Sequence, residues 1–392
     1  MTVRAVVLVV LDSAGIGGAP DAGAFGDAGS ATIPNLARAV GGVKLPNMGA
    51  LGLGRLADIA GVEPATAPSG AFGAMTETSA GKDTTTGHWE MTGIYLKEPL
   101  PTYPDGFPLE VIEDFEKATG TQVLGNVVAS GTEIIEALGA EHVATGKPIV
   151  YTSADSVFQI ATHVDVISLE RLYEMCRIAR EILRGPHEVG RVIARPFAGE
   201  PGSFARTPDR HDFSRLAEGD TILDEIVGEG LEVRGVGKIS DIFGGRGITS
   251  SHPTRSNDDG IDAIVAEVGA IGRGLVFANL VDFDQAYGHR NDPGGYARAL
   301  ERFDERLPEI TGAMHDDDVL LITADHGNDP TTASTDHSRE RVPLLGTGAP
   351  VRAGAEIGIR ETFSDCGATV TDLLGFPTAT RGTSFAPVLL AR

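Results

Sequence analysis

Cysteine is almost missing from this sequence. Cys176 and Cys366 are the two in 392 residues, each inside a helix-like pattern, which fits buried thiols and excludes a disulfide-stapled framework. Long apolar runs are missing too: none approaches the ~20 residues that cross a bilayer, so no membrane is expected. Positive charge is scarce, with 32 Lys and Arg against 55 Asp and Glu and a formal net charge of -23. That balance repels a phosphate backbone, so no nucleic-acid partner is expected, while local Arg and Lys clusters leave room for a small anionic substrate. Met1-Thr2-Val3-Arg4 leads into an apolar run with no small-residue cleavage site, so it reads as a first strand and the expected location is cytoplasmic. No internal repeat or low-complexity segment is visible, and the length allows about two or three domains.

What is present is an alternation of strands and helices. Ala5 to Leu11 is a continuous apolar run, read as a central strand, and ends in Asp12-Ser13-Ala14-Gly15-Ile16-Gly17-Gly18. This Gly-rich loop matches neither the dinucleotide nor the Walker pattern. Gly81-Lys82-Asp83-Thr84-Thr85-Thr86-Gly87-His88-Trp89-Glu90 crowds basic, acidic, hydroxyl and imidazole groups into a Gly-bounded turn. Pro99, Pro101, Pro104 and Pro108 make a stiff connector, and Gly199-Glu200-Pro201-Gly202 with Thr207-Pro208-Asp209 makes a second. Between them the spacing predicts helices at 109–118 and 132–138, a strand at 148–152, a helix at 168–183 capped by Ser168, and a strand at 191–195. Beyond them it predicts helices at 222–227, 260–271 and 361–374 and strands at 231–235, 275–281 and 319–323. A cap over 99–212, inserted into a core made of 1–98 and 213–392, is the expected organisation.

Three apolar strands lead into aspartates, Asp12, Asp284 and Asp325, and histidines follow at His289, His326 and His337. An aspartate ending one strand is ordinary turn chemistry. Three such edges with three imidazoles favour a shared metal site, because carboxylate oxygen and neutral imidazole nitrogen are ligands of divalent first-row metals and six suffice for two ions. Open α/β sheets place ligand sites at this carboxyl edge. His142, His163, His187, His211, His252 and His315 follow no such edge and read as surface or satisfied core.

These motifs resemble the phosphopentomutase family of the alkaline phosphatase superfamily along nearly the whole chain. The match is carried by Leu11-Asp12-Ser13, Gly81-Lys82-Asp83-Thr84 with Thr86-Gly87-His88-Trp89-Glu90, and Tyr151-Thr152-Ser153-Ala154-Asp155-Ser156. Further on it rests on Arg195-Pro196-Phe197, Arg206-Thr207 with Arg210-His211-Asp212, Gly237-Lys238-Ile239, Asp282-Phe283-Asp284 with Gly288-His289-Arg290, and Asp325-His326-Gly327 with His337-Ser338. The resemblance implies an α/β fold: an alkaline-phosphatase-like core with a central, mostly parallel sheet flanked by helices, plus an inserted smaller α/β cap. It implies two Mn2+ ions, Mg2+ or Zn2+ being the alternatives, and a phosphothreonine at Thr84. Asp12, Asp325 and His326 then hold one ion, with the Thr84 oxygen beside it, and Asp284, His289 and His337 hold the other.

The implied reaction interconverts ribose 1-phosphate and ribose 5-phosphate, and the deoxyribose pair, through a sugar bisphosphate that also primes the enzyme. The partner is thus a small phosphosugar, and the oligomeric state stays open. Ser153 and Asp155 suit sugar hydroxyls, while Arg195, Arg210 and Lys238 suit the non-transferring phosphate. A metal-dependent phosphomonoesterase and a mutase for another phosphosugar are the alternatives within enzymes. A metal-binding protein without catalysis is the alternative outside them, and the intact set of Thr84 with six ligands argues against it.

Three carboxylates with three imidazoles and no thiolate form a hard donor set, which predicts Mn2+ over Zn2+. Chelator-stripped protein should therefore regain activity on adding Mn2+. Recovery with Zn2+ but not Mn2+ refutes the assignment.

Overall fold

The computed structural model describes residues 3–153 and 155–391. The chain divides into two compact units, one made of the stretches up to Pro99 and from Ala217 onward, the other of Leu100–Leu216. In chain order the strands are β1 (Ala5–Leu11) and β2 (Ala71–Met75) in the first unit, then β3 (Leu124–Val128), β4 (Ile149–Thr152), β5 (Val157–His163), β6 (Arg191–Ala198), β7 (Ala205–Arg206) and β8 (His211–Ser214) in the second. Back in the first come β9 (Glu232–Val236), β10 (Ser250–His252), β11 (Gly274–Leu280), β12 (Val319–Thr323), β13 (Val342–Thr347) and β14 (Glu356–Arg360).

The first unit's sheet runs β10-β9-β11-β1-β12-β13-β2-β14. Every residue of β1, β11 and β12 is buried. Uninterrupted runs such as Ala-Val-Val-Leu-Val-Val-Leu leave no polar face for solvent, so helices must cover both sides, and strands so covered are typically parallel. The pairings agree: β1 is parallel to β11 and β12, and β13 alone runs against its neighbours. In register, Leu11 pairs with Leu280 and Val10 with Thr323. The segments after β1, β11 and β12 therefore leave the sheet side by side at one edge.

The second unit has a six-stranded sheet, β3-β4-β5-β6-β7 with β8 also paired to β6. One face packs Phe107, Phe115, Phe158, Leu172 and Cys176, drawing on helices Leu109–Thr119 and Leu169–Ile182. The other packs Ile135, Tyr151 and Phe197 under helix Gly131–Thr145. Ser168 caps its helix as expected, accepting from Arg171 N–H. Both cysteines are buried and unpaired, and burial pushes the Cys366 thiol up to about 12.

Several elements differ from the sequence reading. Helix Gly131–Thr145 extends a full two turns past the expected stretch, and helix Asn257–Ala270 starts earlier, behind a Ser256 cap. Helix Pro293–Ala313 was not expected; Pro293 opens it and Pro308 lies inside it, a residue that usually marks a stop. Nor was β2, whose sequence Ala-Phe-Gly-Ala-Met lacks branched residues. Its Gly73 is required by contact: a Cβ there would lie 2.5 Å from Gly358 O on the neighbouring β14. Among the described residues no helix is long and apolar enough to cross a membrane.

One buried histidine ties the second unit's stability to pH. His142 Nδ1 donates to Lys147 O (2.7 Å), and its Nε2 accepts from His163 N–H (2.8 Å), which commits both nitrogens as neutral imidazole. Burial holds its pKa below the ordinary histidine value, with His163 adding to the effect. A group whose pKa is lower folded than unfolded takes its proton first in the unfolded chain. Its stabilisation is complete above about pH 6.5 and is lost as pH falls below that value. Amide-exchange protection of β5, corrected for intrinsic rates, should fall as pH drops below about 6.5, and should fall less in His142→Phe. The same pH dependence in both proteins refutes this.

Candidate active site

At the edge where β1 ends, Asp12 is followed by Ser13 in the left-handed region (φ 71°). A non-glycine residue held there costs on the order of 1–3 kcal/mol, so its surroundings must hold it. They do: Ser13 N–H donates to Asp325 Oδ1 (3.0 Å), and Ser13 Oγ lies 3.0 Å from the hydroxyl of the fully buried Tyr296. The strained turn thus locks the end of β1 to the segment after β12.

Thr84 opens helix Thr84–Met91, and Asp83 caps it by accepting from Thr86 N–H (3.1 Å) and Thr86 Oγ1 (2.6 Å). Thr86 has therefore spent its hydroxyl on the cap. Thr84 Oγ1 instead lies 3.4 Å from Asp12 Oδ1 and 3.2 Å from His326 Nε2, at the helix end where unpaired N–H groups favour negative charge. The segment before it is pinned by the buried Arg339, which donates to Glu77 Oε2, Glu77 O, Ser79 O and Gly81 O at 2.7–2.8 Å. Lys82 pairs with Asp27 (3.1 Å) and Asp336 (3.4 Å).

His326 Nδ1 donates to Gly327 O (2.9 Å), which turns Nε2 toward Asp12 Oδ1 (3.3 Å) and Asp325 Oδ2 (3.5 Å). Asp284 sits in a π-helical turn, Phe283–Tyr287, a rare conformation that recurs at functional sites. Its Oδ2 is 3.1 Å from His289 Nε2 and its Oδ1 is 3.6 Å from His337 Nε2, while His289 Nδ1 donates to Thr335 O (2.7 Å). Two triads result, Asp12-Asp325-His326 and Asp284-His326-His337, each with ligand atoms within 4.8 Å of one another, and His326 belongs to both. All six residues predicted as ligands gather at this edge.

Electrostatics fit a cation. Burial raises the Asp284 carboxyl, yet His337 and His289 beside it hold it well below the usual range. Burial also works against charge on His326, and Asp325 and Asp12 still hold its pKa well above ordinary. Asp325 Oδ2, buried and facing His326 and His88, has no hydrogen-bond partner among the described residues. A buried carboxylate oxygen left so is costly unless positive charge meets it. A set of carboxylates and imidazoles with their outer atoms already bonded is what a divalent ion requires.

The predicted substrate residues are distributed. Ser153 follows β4, and Asp155 lies 3.5 Å from Arg191. Arg195 on β6 donates to Gln159 Oε1 (3.1 Å), and burial, with Arg210 and Arg206 nearby, holds its pKa down to about 10. Arg210 already makes two 2.7 Å bonds to Asp212. Lys238, in the first unit, precedes the short helix Ile239–Ile242. The sequence reading missed Asn279, Asn328, Tyr296 and Arg339. Asn279 carried a signal, being the one polar side chain in Gly-Leu-Val-Phe-Ala-Asn-Leu; the others act through long-range contacts that no local pattern shows.

A family model described as the Metalloenzyme superfamily matches residues 4–378. The chain is 58% identical over 382 residues to the phosphopentomutase of Thermotoga petrophila, covering 97% of this chain and 98% of that one. It is 53% identical over 388 residues to the phosphopentomutase of Alkaliphilus metalliredigens, covering 99% and 100%. Among solved structures, a protein of Pyrococcus horikoshii shares the fold with a TM-score of 0.50 at 16% identity, over 95% of this chain and 98% of that one. With relatives this similar across nearly their full length, and a donor set that marks divalent-metal use, the chain belongs to the phosphopentomutase family, mutases of the metalloenzyme superfamily.

Proposed function

We propose that this enzyme interconverts α-D-ribose 1-phosphate and D-ribose 5-phosphate, and the 2-deoxyribose pair, through a phosphothreonine at Thr84 and a pentose bisphosphate, linking nucleoside breakdown to pentose metabolism. The observation that carries the reading is the Thr84 hydroxyl at a helix N-terminus, 3.2 Å from His326 and 3.4 Å from Asp12. Asp12, Asp325 and His326 are assigned to one ion and Asp284, His289 and His337 to the other, with Mn2+ favoured by the donor set. When bound, the two ions supply the positive charge that makes an alkoxide accessible near neutral pH and offsets charge on the transferring phosphoryl group.

The chain's own groups orient the rest. Phosphothreonine 84 gives its phosphoryl group to the free hydroxyl of a pentose monophosphate: the Thr84 Oγ–P bond breaks, a sugar O–P bond forms, and the sugar proton leaves to Thr84 Oγ. The bisphosphate then turns and returns its other phosphate to Thr84, so the enzyme ends as it began. A sugar bisphosphate can load unphosphorylated Thr84 by the same step. Ser153 and Asp155 are assigned to sugar hydroxyls, and Arg195, Arg210 and Lys238 to the phosphate that stays.

Neighbouring threonines cannot substitute, because a nucleophile displaced by about 1 Å loses on the order of a hundredfold in rate. Thr84→Ala should abolish isomerisation of ribose 1-phosphate and uptake of labelled phosphate from ribose 1,5-bisphosphate, while Thr84→Ser keeps part of both. Mass-spectrometric mapping should find the label on Thr84. Label on Thr85 or Thr86, or release of free phosphate in place of isomerisation by the wild-type protein, overturns the proposal.

A further inference from the structure

His88 has no role in the scheme above, yet it is fully buried four residues after Thr84 on the same helix. Its Nδ1 is 2.9 Å from Thr84 O and 3.2 Å from Asp325 Oδ2. Its Nε2 faces Asn279 Nδ2 at 3.4 Å. Asn279 Nδ2 also donates to Asp12 Oδ2 at 3.0 Å. That bond fixes the amide, since a carboxylate only accepts and the nitrogen must point at it. The second N–H of the amide then meets Nε2, which has to be the bare nitrogen. Nδ1, set between two acceptors, carries the proton. One neutral imidazole and one amide so bond Asp12 to the main chain of Thr84, with the imidazole set against Asp325 Oδ2, inside an otherwise apolar wall of β11 and Phe277.

We infer that His88 and Asn279 form one positioning unit, which decides which oxygens Asp12 and Asp325 present to a cation and holds Thr84 against them. This rests on the reading that those two carboxylates are ligands. The geometry is specific. Asn279 occupies Asp12 Oδ2, so Oδ1 is the oxygen turned toward His326 and Thr84. Ser13 N–H occupies Asp325 Oδ1, so Oδ2 is turned inward, and the imidazole lies against it. Neutral donors do this without adding charge to the site, whereas a Lys or Arg in either place would compete with the ion. His88 and Asn279 touch no substrate atom in this assignment, so their effect is on placement.

The test is calorimetric titration of Mn2+ alone into chelator-stripped, full-length protein. It involves no sugar, so its outcome stands whether or not ribose phosphates turn over. Outer partners of metal ligands typically change affinity by about 10–100-fold. His88→Phe and Asn279→Leu should each weaken one of two Mn2+ binding events by that factor and leave the other unchanged. His88→Gln, whose amide can both donate and accept, should recover most of the loss. The double variant should be no weaker than the weaker single one, because both act through the same bonded chain. Should His88→Phe not fold, Asn279→Leu and His88→Gln still decide. Wild-type affinity at both sites in Asn279→Leu, or equal weakening of both sites with no recovery in His88→Gln, overturns the inference.

Discussion

Three buried carboxylates held close together are the constraint the rest of this fold answers. Asp12, Asp284 and Asp325 are each 5% exposed or less, and ionised carboxylates out of water are costly unless positive charge or hydrogen-bond donors meet them. The parallel register of β1, β11 and β12 forces them together, because the strands end level with one another. Part of the relief comes from Ser13 N–H, the amides of Asn279 and Asn328, and the elevated pKa of His326. The edge of the sheet is therefore built as an anionic site whose hydrogen-bond donors from Ser13, Asn279 and Asn328 are neutral.

The loops around that site are tied to one another by buried polar anchors. Glu340 accepts from Gly17 N–H (2.9 Å), Thr32 N–H (2.8 Å), Thr32 Oγ1 (2.7 Å) and Ser338 Oγ (2.7 Å), and burial still pushes its carboxyl up to about 7. Gly15 and Gly327 have no alternative here, since a Cβ on either would fall within 2.4 Å of the Glu340 carboxylate. This one side chain joins the loop after β1 to the loop carrying His326 and His337. Arg339 does the same between His337 and the approach to Thr84, and its planar fork matches several oxygens that an ammonium could not. The residues assigned as metal ligands and nucleophile are placed by shared anchors rather than by separate loops.

Much of this was legible in the sequence where chemistry is local. The apolar runs before Asp12 and Asp325 gave buried strands, and the aspartates at their ends marked the edge; Gly81 to Glu90, read as a Gly-bounded turn, instead opens a helix at Thr84 capped by Asp83. What could not be read depends on distant partners. β13 and β2 are an antiparallel pair joined across most of the chain, and Gly73 in β2 makes sense only once β14 lies against it. Helix Pro293–Ala313 was hidden by Pro308, yet it supplies Tyr296, which holds Ser13 in its strained conformation. His88 was noticed as part of a motif, but its use follows from Asn279, 191 residues away.

Charge arithmetic then bears on how many ions the site takes. Asp12, Asp284 and Asp325 bring -3, and the imidazoles bring nothing when they ligate as neutral rings. One divalent ion leaves the site at -1, which repels a phosphoryl group. Two leave it at +1 (-3 + 4), which attracts one and still favours the anionic form of Thr84. His326 Nδ1 is committed to Gly327 O, so a proton on Nε2, which Asp325 and Asp12 favour, would compete with a cation placed between those carboxylates. The proposed pair of ions thus answers the same charge imbalance that the parallel strands create.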